Sequence, residues 1–170
     1  MDNFTKLLNK SFRFLSYRPR SEKEVVEYLK KKISNFQFPI SNFKTAEEII
    51  DSIIEKLKEQ KFIDDTEFAK WWIEQRSKVK PKAIKFIIFE LKQKGIAKEL
   101  IDEILNDKEF EVISDFDKAL ELAKKRIKRY EKEEPKKAYE KMVRFLASKG
   151  FEWEIIKKVI DQTFPKRYNT

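Results

Sequence analysis

The scarcity of turn-forming residues constrains this chain more than any other feature of its sequence. Its 170 residues include 2 Gly and 5 Pro, where average usage (Gly about 7%, Pro about 5%) would give roughly 20 of the two types together. β-Sandwiches, barrels and doubly wound α/β domains need many more turns than that. The sequence therefore predicts an all-α protein, and 15 Phe, 5 Tyr and 3 Trp are available for its core.

Missing side chains exclude several kinds of chemistry. The chain has no Cys and no His, so it cannot form a disulfide, a thiolate nucleophile, a zinc ribbon or a Ser–His–Asp triad. Two isolated glycines cannot form a Gly-rich phosphate-binding loop. Carboxylate-only catalysis and non-enzymatic binding remain open at this point. We predict no cofactor and no metal site.

The charge balance favours an anionic partner. The chain carries 39 Lys and Arg against 30 Asp and Glu, a net charge of +9, which suits a polyanion or an acidic protein surface. The excess lies at the two ends, because residues 1–61, 62–110 and 111–170 have net charges of +4, 0 and +5. No signal peptide is evident, and no stretch approaches the roughly 18 apolar residues of a membrane span. We expect a cytoplasmic protein without membrane contact.

Helix start and stop signals are distinct along the chain. Residues 21–24 and 45–48 form capping boxes, and Asp64 is placed to cap the next helix. Both glycines, Gly95 and Gly150, follow a Leu-x-x-Lys ending, which is the position of a left-handed residue just after a helix. The glycines are therefore predicted to be stop signals.

Apolar spacing at three and four residues completes the helix prediction. Pro81 and Pro135 suit the first turns of two helices. The aromatic stretch at residues 35–43 is expected to fold back onto a helical face. The predicted helices lie near residues 4–17, 21–34, 45–60, 65–79, 82–94, 97–106, 115–131, 136–149 and 152–163.

The nine helices fall into three groups with the same internal order. Apolar spacing alone occurs in any amphipathic helix, but a matched order of arginine, helix start and Leu-x-x-Lys ending favours a repeat. We predict three tandem three-helix repeats, at 1–61, 62–110 and 111–170, forming an elongated, curved helical body. The aligned residues are Ser11, Ala69 and Ala119; Arg18, Arg76 and Arg126; Val25, Ile87 and Met142; and Leu29, Leu91 and Leu146.

The middle repeat contains the residues that most need an interpretation. Trp72 aligns with Phe14 and Leu122 and is predicted to be core. Trp71 is a candidate for a base-stacking or protein contact, and packing on a neighbouring repeat is an equally good interpretation. Asp64 and Asp65 have the chemistry of acid–base or metal-binding carboxylates. Their position at a helix start favours capping, although an enzyme using them stays as the third alternative.

The chain resembles the RecX family of bacterial recombinase regulators. The resemblance lies in RPRSEKEVVEYL from Arg18, IDDTEFAKWWIEQR from Ile63, ELKQKGI from Glu90 and the weaker FLASKGF from Phe145. Two departures stand out: no glycine follows the first Leu-x-x-Lys ending, and Val-Lys replaces the usual small residue before Pro-Lys-Ala-Ile. The resemblance implies three tandem three-helix repeats and a regulatory, non-enzymatic protein. We expect a monomer.

The resemblance also implies partners. RecX proteins bind a RecA-type recombinase filament and inhibit its ATPase, strand-exchange and coprotease activities in DNA repair, recombination and the SOS response, and many bind single- or double-stranded DNA weakly. A sequence-nonspecific nucleic-acid-binding protein without a recombinase target is the alternative. Basic residues at the ends would meet acidic protein or phosphate, unless the aligned arginines pair internally. The candidate contact residues are Arg18, Arg20, Lys31, Lys32, Lys125, Arg126 and Arg129 at the ends, and Trp71, Arg76, Lys78, Lys80 and Lys94 in the middle repeat.

Overall fold

The computed structural model describes residues 3–36 and 45–164, which form nine α-helices and no strand. Among these residues no helix has the length and apolar character needed to cross a membrane. The predicted folding-back of residues 35–43 falls, beyond Phe36, outside the described residues. The helices are α1 Asn3–Leu15, α2 Glu22–Phe36, α3 Ala46–Glu59, α4 Asp65–Glu74, α5 Ile84–Gln93, α6 Lys98–Asn106, α7 Asp115–Ile127, α8 Pro135–Ser148 and α9 Trp153–Thr163.

Two helices continue in a different helical form. A π-helical segment, Gln75–Val79, extends α4, and a 3-10 turn, Lys128–Tyr130, extends α7. With these continuations included, all nine predicted helices are confirmed, and their bounds differ from the predicted ones by at most two residues. The π segment was not predicted, because an extra residue in one turn leaves the apolar spacing on both sides nearly unchanged.

The predicted N-terminal caps of three helices are confirmed by their hydrogen bonds. Thr45 Oγ1 accepts from the Glu48 amide at 3.2 Å, and the Glu48 carboxylate accepts from the Thr45 amide at 2.7 Å. Ser21 and Glu24 form the same reciprocal pair, with both distances 3.3 Å. Asp64 Oδ1 accepts the amides of the next helix start at 2.8 and 3.0 Å. Each arrangement satisfies amide groups that have no partner within the helix.

One proline position was predicted wrongly. Pro135 opens α8 as expected, but Pro81 lies before α5, which begins at Ile84. The amide of Ala83 donates to the Lys149 carbonyl at 3.0 Å, so the chain before α5 runs towards this acceptor instead of forming a helical turn. An acceptor 66 residues away in the chain leaves no signal beside the proline.

The chain divides into two compact units. The first comprises Met1–Trp71 with Leu91–Ile104, and the second comprises Trp72–Glu90 with Leu105–Thr170. The division passes through α4, α5 and the end of α6, so the middle group of helices contributes to both units. The repeat bounds at 1–61, 62–110 and 111–170 remain a prediction.

Burial of the aligned residues confirms the register between the three groups of helices. All nine members of three aligned sets are completely buried. In the first unit α1, α2 and α3 pack together, and in the second α7, α8 and α9 do so. The buried sets are Ser11, Ala69 and Ala119; Val25, Ile87 and Met142; and Leu29, Leu91 and Leu146. The fold is three tandem three-helix repeats.

Consecutive repeats are joined by three contacts at similar places in the two units, and each set of three lies within one unit. In the first unit, Ser21 at the start of α2 donates to the Lys94 carbonyl at 2.7 Å, while Asp65 Oδ1 accepts the Glu22 amide at 2.8 Å. A β-carbon on Gly95 would lie 2.8 Å from the side chain of Lys23. We call this set of contacts a repeat junction.

The second unit contains a similar repeat junction, in which the first donor is a backbone amide instead of the Ser21 hydroxyl and the glycine faces Phe86. Ala83, before α5, donates to the Lys149 carbonyl at 3.0 Å, and Asp115 Oδ1 accepts the Ile84 amide at 2.9 Å. Gly150 has φ +88° and Gly95 has φ +85°, which confirms both as left-handed stop residues. The missing side chain of each glycine also leaves space for a side chain of the preceding repeat. Sequence spacing alone did not indicate this second role.

Candidate partner-binding groove

A groove of about 850 Å³ lies in the first unit, between the end of α1, the turn after α3 and the start of α4. It brings together three of the predicted contact residues, Arg18, Arg20 and Trp71. Its other walls include residues that the sequence did not single out. The aromatic lining residues are Phe12, Phe62, Phe68 and Trp71, the basic ones are Arg18, Arg20 and Lys61, and the acidic ones are Asp64 and Glu67.

The apolar floor of the groove is held by ring contacts. Phe12 and Phe62 meet edge to face with centroids 4.9 Å apart, and Phe68 and Trp71 lie 6.0 Å apart. Phe68 is completely buried, Trp71 is half-buried and Phe62 is exposed. The left-handed backbone of Lys61 (φ 57°) turns the chain from α3 into this wall. The floor therefore offers a fixed apolar surface to a side chain from outside.

The basic wall is organised by one carboxylate. Arg18 donates twice to Glu24, at 2.7 and 3.2 Å, and Lys94 Nζ lies 2.9 Å from Glu24 Oε1. The Arg20 guanidinium stacks 4.1 Å from the centroid of Phe14. Burial of Glu24 acts to raise its pKa, but the hydrogen bonds from Arg18 and Lys94 prevail and hold that pKa at about 2. Glu24 thus fixes the arginine side chains in position.

The two adjacent aspartates serve as helix caps. Asp64 accepts two amides of α4, and Asp65 accepts the Glu22 amide across the repeat junction. Burial raises the pKa of Asp65, and the hydrogen bond from Glu22 opposes that rise. Within residues 3–36 and 45–164 no group of three or more acidic side chains is placed to hold a metal ion. These contacts account for the carboxylates as structural groups.

In the second unit, Trp72 and Arg76 share an acceptor on α5. Trp72 Nε1 and Arg76 Nε donate to Glu90 Oε2 at 3.0 and 2.7 Å, and Lys82 pairs with the other oxygen of Glu90. Burial acts to raise the pKa of Glu90, but its hydrogen bonds from Lys82 and Arg76 lower it overall. Trp72 is buried, as predicted. The aligned arginines Arg18 and Arg76 are therefore both paired internally.

Arg126, the third aligned arginine, also has internal partners. Its Nε donates to the Tyr130 hydroxyl at 2.7 Å, and its guanidinium lies 4.0 Å from the centroid of Phe145. Lys125 pairs with Glu121 on the exposed side of α7. The sequence left open whether the aligned arginines pair internally. In the described residues all three do.

The remaining predicted contacts are dispersed over the surface of the described residues. Lys32 is half-buried, with Nζ 5.2 Å from the Tyr28 ring centroid. Sequence reasoning named Glu24 only as part of a capping box and missed its role as an acceptor. Two arginines shortly before a box glutamate are the signal that could have indicated it. Among these remaining residues, the exposed cations are Lys31, Lys78, Lys80 and Arg129.

Comparison with known families decides what kind of protein carries these features. Three family models match in order: the first, second and third three-helix domains of RecX, at residues 8–34, 64–105 and 114–160. The chain belongs to the RecX family. Its relatives are named as regulatory proteins.

Individual RecX proteins match nearly the whole chain. The Geobacillus sp. protein is 34% identical over 163 residues, covering 94% of this chain and 54% of the relative. The Clostridium tetani protein is 34% identical over 168 residues, covering 95% of this chain and 68% of the relative. The chain spans about half the length of the Geobacillus and Bacillus RecX proteins that it matches.

Solved RecX structures have a similar fold. The crystal structure of RecX from Lactobacillus salivarius is 26% identical and superposes with a TM-score of 0.63, covering 94% of this chain and 96% of the other. A second RecX crystal structure is also 26% identical, with a TM-score of 0.65 and coverage of 94% and 74%.

Proposed function

We propose that this RecX-family protein binds the nucleoprotein filament of a RecA-type recombinase and inhibits its ATPase, strand-exchange and coprotease activities. It acts as a cytoplasmic monomer in DNA repair, recombination and the SOS response, without catalysis of its own. The groove that gathers Trp71, Arg18 and Arg20 is the observation that carries the proposal. Its apolar floor and walls of both charges suit a protein surface better than a small metabolite.

The groove supplies the properties of a protein hot spot. Tryptophan and arginine dominate the binding energy of many interfaces when they are fixed before the partner arrives. Trp71 rests against Phe68, and Arg18 is fixed by Glu24. Because these side chains lose little freedom on binding, their contacts contribute more to affinity.

The experiment measures ATP hydrolysis by a RecA-type recombinase on single-stranded DNA while the protein is added below stoichiometry. We expect the rate to fall, and Trp71→Ala to need at least about tenfold more protein for the same inhibition. Tyr17→Ser is the matched control, because this exposed aromatic residue of the first unit does not line the groove. Unchanged ATP turnover at saturating protein would refute the proposed function.

Nonspecific nucleic-acid binding is the second candidate, and the exposed cations Lys31, Lys78, Lys80 and Arg129 favour it. If it were the main activity, affinity for DNA would fall by orders of magnitude between about 50 and 200 mM salt. Alanine at these four positions would reduce that salt dependence. We expect DNA binding to be weak, and the protein to sediment with recombinase filaments but not with bare DNA at physiological salt.

A further inference from the structure

The outer face of α5 carries two exposed phenylalanines. Phe86 is 39% exposed and Phe89 is 61% exposed, and their spacing of three residues places them on the same side of the helix. With Lys82, Lys85 and Glu90 they line a depression of about 560 Å³ in the second unit. The opposite face of α5 supplies core residues, so this helix is apolar on two sides.

The aligned helices of the other repeats carry charges at these two positions. Leaving two aromatic rings in water forgoes the free energy that their burial would release, and exposed apolar patches mark interaction sites. Only the middle repeat has apolar residues here. Phe86 aligns with Glu24 and Lys141, and Phe89 aligns with Glu27 and Arg144.

A third exposed aromatic residue follows, in the chain, a residue that pairs with Lys85. Phe86 lies against Gly150, and Lys85 pairs with Glu152. Trp153, 52% exposed, directly follows Glu152 at the start of α9. We call Phe86, Phe89 and Trp153, together with Lys82 and Lys85, the α5 face.

Cations outnumber carboxylates around the α5 face. Glu90 is shared by Lys82 and Arg76, which leaves one positive charge in excess there. Lys78 and Lys80 precede α5, and both are exposed. The complementary ligand therefore carries negative charge beside an apolar group.

We propose that the α5 face binds an acidic segment of a partner protein that carries one or two large apolar side chains. The apolar side chains would lie against Phe89 and Trp153, and the carboxylates would face Lys82 and Lys85. Nucleic acid fits less well, because a strand has a phosphate at every nucleotide and would place some of them against Glu90 and Glu152. A peptide can leave those positions neutral. The proposal does not depend on the recombinase assignment.

The test is a titration of the full chain, labelled with ¹⁵N, followed by amide resonances in NMR spectra. The probes are a blocked peptide of Glu interleaved with Phe and Leu, the same peptide with Lys replacing Glu, and an oligothymidylate. We expect the acidic peptide to shift the resonances of residues 82–90 and 152–154 saturably. The lysine peptide should bind at least tenfold more weakly.

Phe89→Ser is the test variant because Phe89 is more exposed than Phe86, which lies against Gly150. We expect it to weaken binding of the acidic peptide at least tenfold, with Tyr17→Ser as an unaffected control. Equal effects of the two variants, or no shift with the acidic peptide, would overturn the proposal. Tighter binding of oligothymidylate at the same residues would also overturn it, in favour of a nucleic-acid site. Concentration-dependent dimerisation lost in Phe89→Ser would assign the face to a second copy instead.

Discussion

The ring of Phe86 occupies the space beside Gly150 that a β-carbon would need, since such an atom would lie 2.8 Å from Phe86 Cγ. The glycine also has φ +88°, where residues with a side chain are strained. Gly150 therefore meets two independent requirements. The end of α8 needs a positive φ, and Phe86 of the preceding repeat needs the space of a side chain.

Gly150→Ala should destabilise the protein by about 1–3 kcal/mol, because it adds backbone strain and a close contact with the Phe86 ring. Urea unfolding measures the loss. Gly150→Asn separates the two causes, since asparagine tolerates positive φ but still carries a β-carbon. A variant with Ala as stable as the wild type would contradict both requirements.

Glu24 should make the stability of the first unit depend on pH. Its pKa is about 2 in the folded protein, against an ordinary value of 4.5. Because the folded protein lowers this pKa, the ionised carboxylate stabilises the fold. Its whole contribution is present above pH 4.5 and is lost as the pH falls towards 2. Glu24→Gln should therefore lower the free energy of unfolding by about 1–2 kcal/mol at neutral pH, a value that includes screening by solvent.

Unfolding at a series of pH values checks this sign. The difference between wild type and Glu24→Gln should shrink between pH 4.5 and 2. Glu27→Gln, on an exposed neighbour in α2, is the control and should show little difference at any pH. A constant difference across the range would mean that charge at Glu24 does not stabilise the fold.

The fold should tolerate loss of the charge of Asp65 but not loss of the oxygen that accepts the Glu22 amide. Asparagine still accepts the Glu22 amide, and it removes a carboxylate whose pKa is raised by burial. We expect Asp65→Asn to change the unfolding free energy by less than about 0.5 kcal/mol, and Asp65→Ala to cost about 1–2 kcal/mol. Equal costs for the two variants, measured by urea unfolding, would show that the charge itself is needed.

Lys118 forms a buried ion pair, and removing only one of its two charges should destabilise the protein. Its side chain is completely buried, with Nζ 2.7 Å from Asp115 Oδ1 but in no hydrogen bond of good geometry among the described residues. Lys118→Met strands the Asp115 charge and should cost about 3 kcal/mol. Adding Asp115→Asn should recover most of that loss, and strictly additive effects in a double-mutant cycle would disprove the coupling.

The sequence predicted the helices and their register because both rest on local patterns. The buried set Leu29, Leu91 and Leu146 follows from apolar spacing, and the glycine stops follow from the left-handed position after a helix. Trp72 was placed in the core by its alignment with Phe14 and Leu122. These predictions needed no contact between distant residues.

What the sequence could not predict depends on distant partners. Lys118 aligns with Phe68 and is buried beside Asp115, although lysine patterns normally indicate a solvated face. Glu24 gathers cations that include Lys94, 70 residues away. The exposed phenylalanines of α5 were missed because apolar residues in a helix are normally assigned to the core. For Lys118 and Glu24, a contact made by the fold overrides the local pattern.

The repeat junctions have a consequence for synthesis on the ribosome. Ser21 finds its acceptor, the Lys94 carbonyl, 73 residues later in the chain. At roughly 5–20 residues per second, several seconds pass between synthesis of Ser21 and synthesis of this acceptor. Until Lys94 has been synthesised, the Ser21 hydroxyl lacks this acceptor, so the first repeat junction forms only after most of the second repeat has been made.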